Sequence, residues 1–223
     1  MNELYEIHTE QTAPHKDLVA VVEKHQKTNF RRPISPYQRE IFEGVAAEIK
    51  SHAGPVLLDS CCGTGRSTLL LAEQNPDALV IGLDKSSKRL SRNEVFREHA
   101  GMKENALLIQ ADVLDFWRLA LEAGCSFDQH TIFYPNPYPK ASDLTRRWHG
   151  HPVFPGMLQL SKVIEMRSNW RLYLEEFLEA AKLVAGWKGE IVQLEPVEAR
   201  MTAFEKKYRQ AGIPVYRLSL ELS

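Results

Sequence analysis

Two apolar runs, each ending in an acid, enclose a segment with helical periodicity in the first half of the chain. The first run begins at Val56 and ends at Asp59, and the second begins at Leu79 and ends at Asp84. Between them, the apolar residues around Leu69 to Ala72 have the spacing of a helix face. This order predicts a strand, a turn, a helix and a second strand, which together make one βαβ unit.

The alternation of apolar runs and amphipathic segments continues to the end of the chain. It predicts further strands at 106–111, 127–134, 162–167, 190–194 and 213–222, and helices at 16–26, 37–50, 86–100, 113–123, 170–185 and 200–211. Strands that alternate with helices predict an α/β domain with a mostly parallel seven-stranded sheet and helices on both faces. The pattern leaves the direction of the last strand open.

The first 35 residues have no sustained period apart from one short helical segment. They include the pair Arg31-Arg32, followed by two prolines that favour extended backbone. We therefore expect an N-terminal arm over residues 1–35, partly disordered, and a single domain over residues 36–223. The chain has 223 residues and 43% hydrophobic residues, which is enough for one sizeable core.

Composition narrows the functional classes. The apolar runs are too short to span a membrane, and the N-terminus is polar and acidic, unlike a secretory signal. The three cysteines have no metal-ligand spacing, so we expect a cytoplasmic protein with no metal. The formal net charge of −1 argues against a strongly basic nucleic-acid binder, although the cations are clustered and form a basic face if they converge.

The turn between the first predicted strand and helix, Ser60 to Gly65, consists of small residues. Gly63 and Gly65 allow positive φ or close approach of a ligand, and Asp84 is placed to accept hydrogen bonds from ribose hydroxyls. A phosphate-binding P-loop is excluded because no lysine follows Gly65. The glycine pattern of a dinucleotide site is also incomplete. The residues therefore predict a nucleoside site without naming the nucleoside.

This turn resembles the first motif of class I S-adenosylmethionine-dependent methyltransferases, with Cys61 in place of the first glycine. The resemblance implies a Rossmann-like class I fold and S-adenosylmethionine as the cofactor. The cofactor-binding residues that it implies are Asp59, Cys61, Gly63, Gly65, Asp84 and Asp112.

A proline-rich loop after the fourth predicted strand makes the resemblance more specific. Residues 134–154 are similar to the Pro-Asp-Pro-Trp-x-Lys-x-x-His-x-Lys-Arg-Arg pattern of the bacterial tRNA (guanine-N7-)-methyltransferase family. The matching residues are Pro135, Pro137, Lys140, Arg146 and Arg147, and the departures are Asn136, Tyr138, Asp143 and Thr145. The resemblance covers most of residues 30–220, and the family's C-terminal Thr-x-Phe-Glu signature is intact as Thr202 to Glu205.

The resemblance also implies roles in base recognition. Asn136 and Glu205 are the expected catalytic residues, with Glu205 accepting from the N1–H and N2–H groups of guanine. The expected substrate-binding residues are Lys140, Arg146, Arg147, Asn169, Thr202 and Glu205, and Arg31, Arg32 and Lys206 are further candidate phosphate contacts. The expected partner is tRNA, and the oligomeric state is open between monomer and homodimer.

Two amides stand where the family has acids, Asn136 and Asn169. Three functions follow as alternatives. The first is methylation of guanine N7 in tRNA, the second is a methyltransferase of the same fold acting on another nucleic acid or a small molecule, and the third is a catalytically silent RNA-binding paralogue.

Overall fold

A computed structural model describes residues 7–93, 104–196, 198 and 200–222. The strands are β1 Val56–Ser60, β2 Leu79–Asp84, β3 Ala106–Gln110, β4 Gln129–Phe133, β5 Val163–Ser168, β6 Lys188–Gln193 and β7 Tyr216–Glu221. The α-helices are α1 Leu18–Gln26, α2 Pro36–Ser51, α3 Arg66–Gln74, α4 Ser87–Leu90, α5 Val113–Glu122, α6 Phe154–Met157, α7 Arg171–Ala185 and α8 Ala203–Ala211. Short 3₁₀ helices lie at Ser91–Asn93, Ala141–Arg146 and Trp148–Gly150.

The seven strands form a sheet in the order β3-β2-β1-β4-β5-β7-β6. The strands β2 and β4 both pair in parallel with β1, and β3 pairs in parallel with β2. The last strand, β7, runs antiparallel to both β5 and β6. The strand order reverses at β1, where the chain returns to add β4. In open α/β sheets such a switch point marks the ligand site beyond the carboxyl ends of the strands.

The predicted elements are present, with shifted ends. The strand predicted at 190–194 begins at Lys188, and the helix predicted at 200–211 begins at Ala203, because Thr202 caps it. The helix predicted at 86–100 is a short α-helix followed by one 3₁₀ turn as far as Asn93, and the rest of that prediction lies outside the described residues.

The chain divides into two compact units, and the first comprises Arg32–Ile132 with Gln159–Ser161. In this unit β1 and β2 are buried along their whole length, as expected of parallel strands covered on both faces. Helix α5 buries Phe116 and Trp117, and the Phe116 ring meets Phe42 of α2 edge-on at 5.3 Å between ring centroids.

The second unit comprises residues 7–31, Phe133–Leu158 and 162–222. Helix α1 packs against α7 and buries Leu18 and Val22. Residues 7–31, which fall in the predicted N-terminal arm, are thus folded into this unit. The domain limits at residues 35 and 36 stay a prediction. None of the helices in the described ranges combines the length and apolar character that crossing a membrane requires.

Candidate functional site

The turn after β1 holds three residues in the left-handed backbone region: Cys61 at φ 62°, Gly63 at φ 63° and Gly65 at φ 77°. A Cβ atom added to Gly63 would meet nothing within 4 Å, so the space beside this glycine is open. Cys61 adopts a conformation that normally favours glycine. The cysteine therefore keeps the backbone shape that the first glycine of the motif would give.

Asp59 shapes this turn from inside. Its side chain is fully buried, and its carboxylate accepts hydrogen bonds from the hydroxyls of Ser67 at 2.6 Å, Thr68 at 2.7 Å and Thr131 at 3.0 Å. Burial raises the pKa of Asp59 to about 6, although the three hydrogen bonds act in the opposite direction. The predicted cofactor residue thus fixes the first turn of α3 and has no exposed oxygen of its own.

Asp84 ties the end of β2 to the same turn. One carboxylate oxygen accepts from the Gly63 N–H at 3.0 Å, and the other accepts from the Ser86 N–H at 2.8 Å and lies 2.9 Å from the Arg89 guanidinium. The side chain is only 1% exposed. Because an ionised carboxylate has about four acceptor positions, these three partners leave little capacity for a ribose hydroxyl.

Asp112 follows β3 and begins α5. Its carboxylate caps the helix at the Leu114 N–H and forms ion pairs with Arg32 at 3.2 Å and Lys85 at 3.3 Å. Partial burial alone would raise the pKa of Asp112, but the two cations lower it below its ordinary value. Arg32, a candidate phosphate contact by sequence, is also held by Asp115 at 2.6 Å. In the structure, Arg32 therefore forms ion pairs within the first unit, with Asp112 and Asp115.

In the second unit, the proline-rich loop has exposed and buried positions. Asn136 and Lys140 are exposed, and the Asn136 side chain accepts from the Tyr138 N–H at 3.4 Å. Tyr138 has a positive φ of 45°, and the Arg146 guanidinium lies 4.1 Å from the centre of its ring. Asn136, Lys140 and Arg146 are therefore accessible to a substrate.

Arg147, which the sequence predicts as an RNA contact, is not exposed in the structure. Its side chain is fully buried and lies 2.6 Å from Glu176 of α7. It also donates to the carbonyl of Tyr138 at 3.1 Å and to the side chain of Gln11 at 2.9 Å. Since its guanidinium is occupied by partners from the arm, the loop and α7, Arg147 serves the fold of the second unit.

Glu205, the predicted base contact, lies inside the second unit. Its side chain is fully buried, and one oxygen lies 3.1 Å from both the Tyr134 hydroxyl and the Arg167 guanidinium. The other oxygen accepts from the Thr202 N–H, and the Thr202 hydroxyl accepts from the Glu205 N–H, which makes a capping box. In this structure Thr202 and Glu205 begin α8, and both oxygens of Glu205 have partners within the protein.

Asn169, the remaining predicted substrate residue, is half-buried just before α7. It follows Ser168, whose hydroxyl accepts from the Trp170 N–H at 3.0 Å. The ends of β4 and β5 are joined beside it, because the Tyr134 N–H donates to the Arg167 carbonyl at 2.8 Å.

Sequence reasoning missed Glu176, Arg167 and Tyr134. Each is buried or half-buried and joins distant segments of the second unit. The signal for Glu176 is an acid on the apolar face of the predicted helix at 170–185, and the signal for Arg167 is a cation at the end of a buried strand. Such charges are rarely fully buried unless they are paired.

Within the described ranges, no group of three or more His, Cys, Asp and Glu side chains could hold a metal ion.

Comparison with known proteins assigns the family. A model of the family described as "Putative methyltransferase" matches residues 53–218, most of the chain. The chain belongs to this methyltransferase family. The match begins just before β1 and ends within β7, so it includes both the glycine turn and the proline-rich loop.

Curated relatives of this methyltransferase carry the name tRNA (guanine-N(7)-)-methyltransferase. The protein from Yersinia pseudotuberculosis serotype I is 26% identical over 174 residues, which are 75% of this chain and 72% of the relative. The protein from Pseudomonas aeruginosa is 27% identical over 176 residues, which are 71% of this chain and 67% of the relative. The resemblance seen in the sequence is confirmed, at low identity.

Solved structures confirm the fold class. The 16S rRNA methyltransferase KamB covers 86% of this chain and 95% of its own, with a TM-score of 0.59 and 19% identity. A 30S ribosomal A1408 methyltransferase from an uncultured bacterium covers 88% and 98%, with a TM-score of 0.57 and 15% identity. The predicted class I fold is confirmed, and these likenesses concern the fold alone.

S-adenosylmethionine is the cofactor of this family and fold. The first unit fits such a group, because the backbone is open at Gly63 and the partly exposed carboxylate of Asp112 stands just after β3 as an acceptor. The enzyme is therefore an S-adenosylmethionine-dependent methyltransferase.

A methyl group at Gly82 should disturb this turn indirectly. Gly82 lies opposite Asp59 in the β1–β2 register, and a Cβ there would overlap the Thr68 hydroxyl that binds Asp59. We expect Gly82→Ala to lower the free energy of unfolding by about 1–3 kcal/mol and to weaken S-adenosylmethionine binding, as measured by urea unfolding and calorimetry. The control is Gly44→Ala in α2, where a Cβ meets nothing within 4 Å and helix propensity improves. Equal stability of the two variants would contradict the proposed link between Gly82, Thr68 and Asp59.

Proposed function

We propose that this methyltransferase forms 7-methylguanosine in tRNA. The observation that carries the proposal is the ordered series of matches to the tRNA (guanine-N7-)-methyltransferase motifs, from the turn at Asp59 through Pro135 and Lys140 to Thr202 and Glu205. The curated relatives with that name support it, since their similarity extends over 75% of the chain.

The proposed chemistry needs no general base. S-adenosylmethionine supplies a methyl group bound to a sulfonium, and guanine N7 already carries a free lone pair. The protein therefore has to hold the base in line with the methyl group, and this positioning supplies most of the acceleration. The buried, fully partnered state of Glu205 is compatible with such a reaction, because no side chain has to accept a proton from N7.

We assign cofactor binding to the backbone at Cys61, Gly63 and Gly65, with Asp112 as an acceptor and with Asp59 and Asp84 as positioning residues that hold the turn. We assign base and RNA contacts to exposed residues of the loop. The Asn136 amide has donor hydrogens that suit O6 of guanine, and a contact to O6 leaves the N7 lone pair free to attack the methyl group. Lys140 and Arg146 are the proposed phosphate contacts.

A second candidate is methylation of a different RNA base. The specific observation that favours it is the presence of Asn136 and Asn169 where the family motif has acids. An amide both donates and accepts, so it suits base edges that a carboxylate would repel.

Methyl transfer to tRNA transcribed in vitro, which carries no modified base, tests both candidates. The tRNA would be incubated with the enzyme and S-adenosylmethionine labelled in its methyl group, digested to nucleosides and separated. We expect labelled 7-methylguanosine. A different labelled nucleoside would favour the second candidate. If calorimetry shows cofactor binding but no RNA becomes labelled, the chain is a silent paralogue.

A further inference from the structure

Helix α8 presents an aromatic ring to solvent among cations. Phe204 lies in the first turn of this helix and is 49% exposed. The exposed charged side chains of the helix are all positive, namely Lys206, Lys207 and Arg209. Its only acid, Glu205, is buried against Arg167. The solvent face of α8 therefore combines one large apolar ring with positive charge.

Two tyrosines hold the Phe204 ring in place. The ring centroid is 6.2 Å from that of Tyr208, with an angle of 21° between the rings, and 6.2 Å from that of Tyr134. Tyr208 is anchored in a small core with Leu194 and Val215. Because this core holds the supporting tyrosine rings, the Phe204 ring is preorganised and loses little conformational freedom when a ligand stacks on it.

From this arrangement we infer that Phe204 stacks on an unpaired nucleobase of the RNA substrate and that Lys207 contacts a phosphate of the stacked nucleotide. The Lys207 ammonium lies 6.0 Å from the centre of the Phe204 ring, close enough to serve the same nucleotide. The inference rests on the proposed function in one respect, that RNA is the substrate. Aromatic stacking beside cations is the usual way in which proteins hold unpaired bases.

The charge of α8 favours RNA over a protein partner. Protein–protein interfaces are depleted of lysine and bury several apolar side chains at their centre. The solvent face of α8 has one exposed large apolar residue, and its charged neighbours are three cations. This surface matches the combination of phosphate and base in a single-stranded nucleic acid.

Binding of in vitro transcribed tRNA to Phe204 variants tests the inference. We expect Phe204→Ala to raise the Kd for tRNA by about 5-fold to 150-fold, the range that corresponds to the loss of one stacked base. Phe204→Trp should bind nearly as well as the original chain, and the fluorescence of the new indole should be quenched by tRNA. Lys207→Ala should reduce the slope of log Kd against log salt concentration by about 1, which corresponds to the loss of one phosphate contact.

Matched controls lie on α7 of the same unit. Leu183 is 40% exposed and Lys182 is exposed beside it, so Leu183→Ala and Lys182→Ala remove similar groups away from α8. Neither change should alter tRNA affinity. Because the Phe204 ring is half exposed and packs on two tyrosines, Phe204→Ala should lower the thermal unfolding midpoint only slightly and should keep the S-adenosylmethionine affinity of the original chain.

Three results would overturn the inference: unchanged tRNA affinity in Phe204→Ala, an equal loss in Leu183→Ala, or an equal loss of affinity for a fully paired RNA duplex, which offers no base for stacking. If the original chain methylates tRNA while Phe204→Ala binds it normally, only this inference fails. If the original chain neither binds nor methylates tRNA, the proposed function fails with it.

Discussion

Glu176→Gln is expected to lower the free energy of unfolding by about 3–5 kcal/mol. The Glu176 side chain is fully buried, and its carboxylate forms an ion pair with Arg147 at 2.6 Å. The carboxylate also accepts hydrogen bonds from the His15 N–H at 2.8 Å and from the Gln11 amide, and it lies 2.9 Å from His149. Removing its charge leaves the guanidinium of Arg147 buried without a counter-ion. Urea unfolding at neutral pH measures the effect.

The neighbouring residue provides a control for this substitution. Glu175 lies on the same helix, is partly exposed and pairs with Arg171 at 2.8 Å. We expect Glu175→Gln to change the free energy of unfolding by less than about 1 kcal/mol, as for other surface ion pairs. Similar stabilities of the two variants would show that the buried network does not stabilise the second unit. The double variant Arg147→Met with Glu176→Leu should recover part of the loss, because it leaves no unpaired charge, while the His15 N–H and the Gln11 amide still lose their acceptor.

The same carboxylate should make stability depend on acid pH. Burial alone would raise the pKa of Glu176, but its hydrogen bond with His149 and the charge of Arg147 lower it to about 2 from an ordinary value of 4.5. The native state therefore binds this proton less readily than the unfolded chain does. The stabilisation is complete above pH 4.5 and is lost as the pH falls towards 2, with a difference of about 3 kcal/mol. This part of the pH dependence should be missing in Glu176→Gln.

Glu205→Ala is expected to destabilise the protein by about 3 kcal/mol, of which the capping box accounts for about 1 kcal/mol. The buried Arg167 loses the partner at 3.1 Å, and the Tyr134 hydroxyl loses its acceptor. Arg167 keeps Glu165 at 2.7 Å, which limits the cost. Urea unfolding and S-adenosylmethionine calorimetry should be measured together. The proposed cofactor residues belong to the first unit, so we expect the folded fraction of the variant to keep its affinity for S-adenosylmethionine.

This variant separates the two roles considered for Glu205. The control is Gln210→Ala, an exposed position on the same helix, which should leave stability nearly unchanged. If Glu205→Ala unfolds at the same urea concentration as the control and loses only methyl transfer to tRNA, the sequence-based assignment as a base contact is right and the structural role is wrong.

Local patterns in the sequence were sufficient for most of the fold. Strand and helix periodicity predicts the elements, because burial of one face leaves a repeat of fixed length in the sequence. The ends of the elements depend on capping contacts that periodicity does not contain: the Thr202 cap makes α8 begin at Ala203. The sequence does not predict the direction of β7, because a parallel and an antiparallel strand have the same alternation of apolar and polar residues. The hydrogen bonds to β5 and β6 show that β7 is antiparallel to both.

The sequence by itself determined the family, the cofactor and the positions of the glycine turn and the proline-rich loop, because these depend on residues close together in the chain. Only the tertiary structure decided which charged residues face solvent. Arg147 and Arg146 are adjacent in sequence, yet one is fully buried and the other exposed. The partners that bury Arg147 are 29 and 136 residues away, at Glu176 and Gln11. Pairing across such distances leaves no periodic signal in the sequence, so the burial of a charge becomes visible only when its counter-charge is in place.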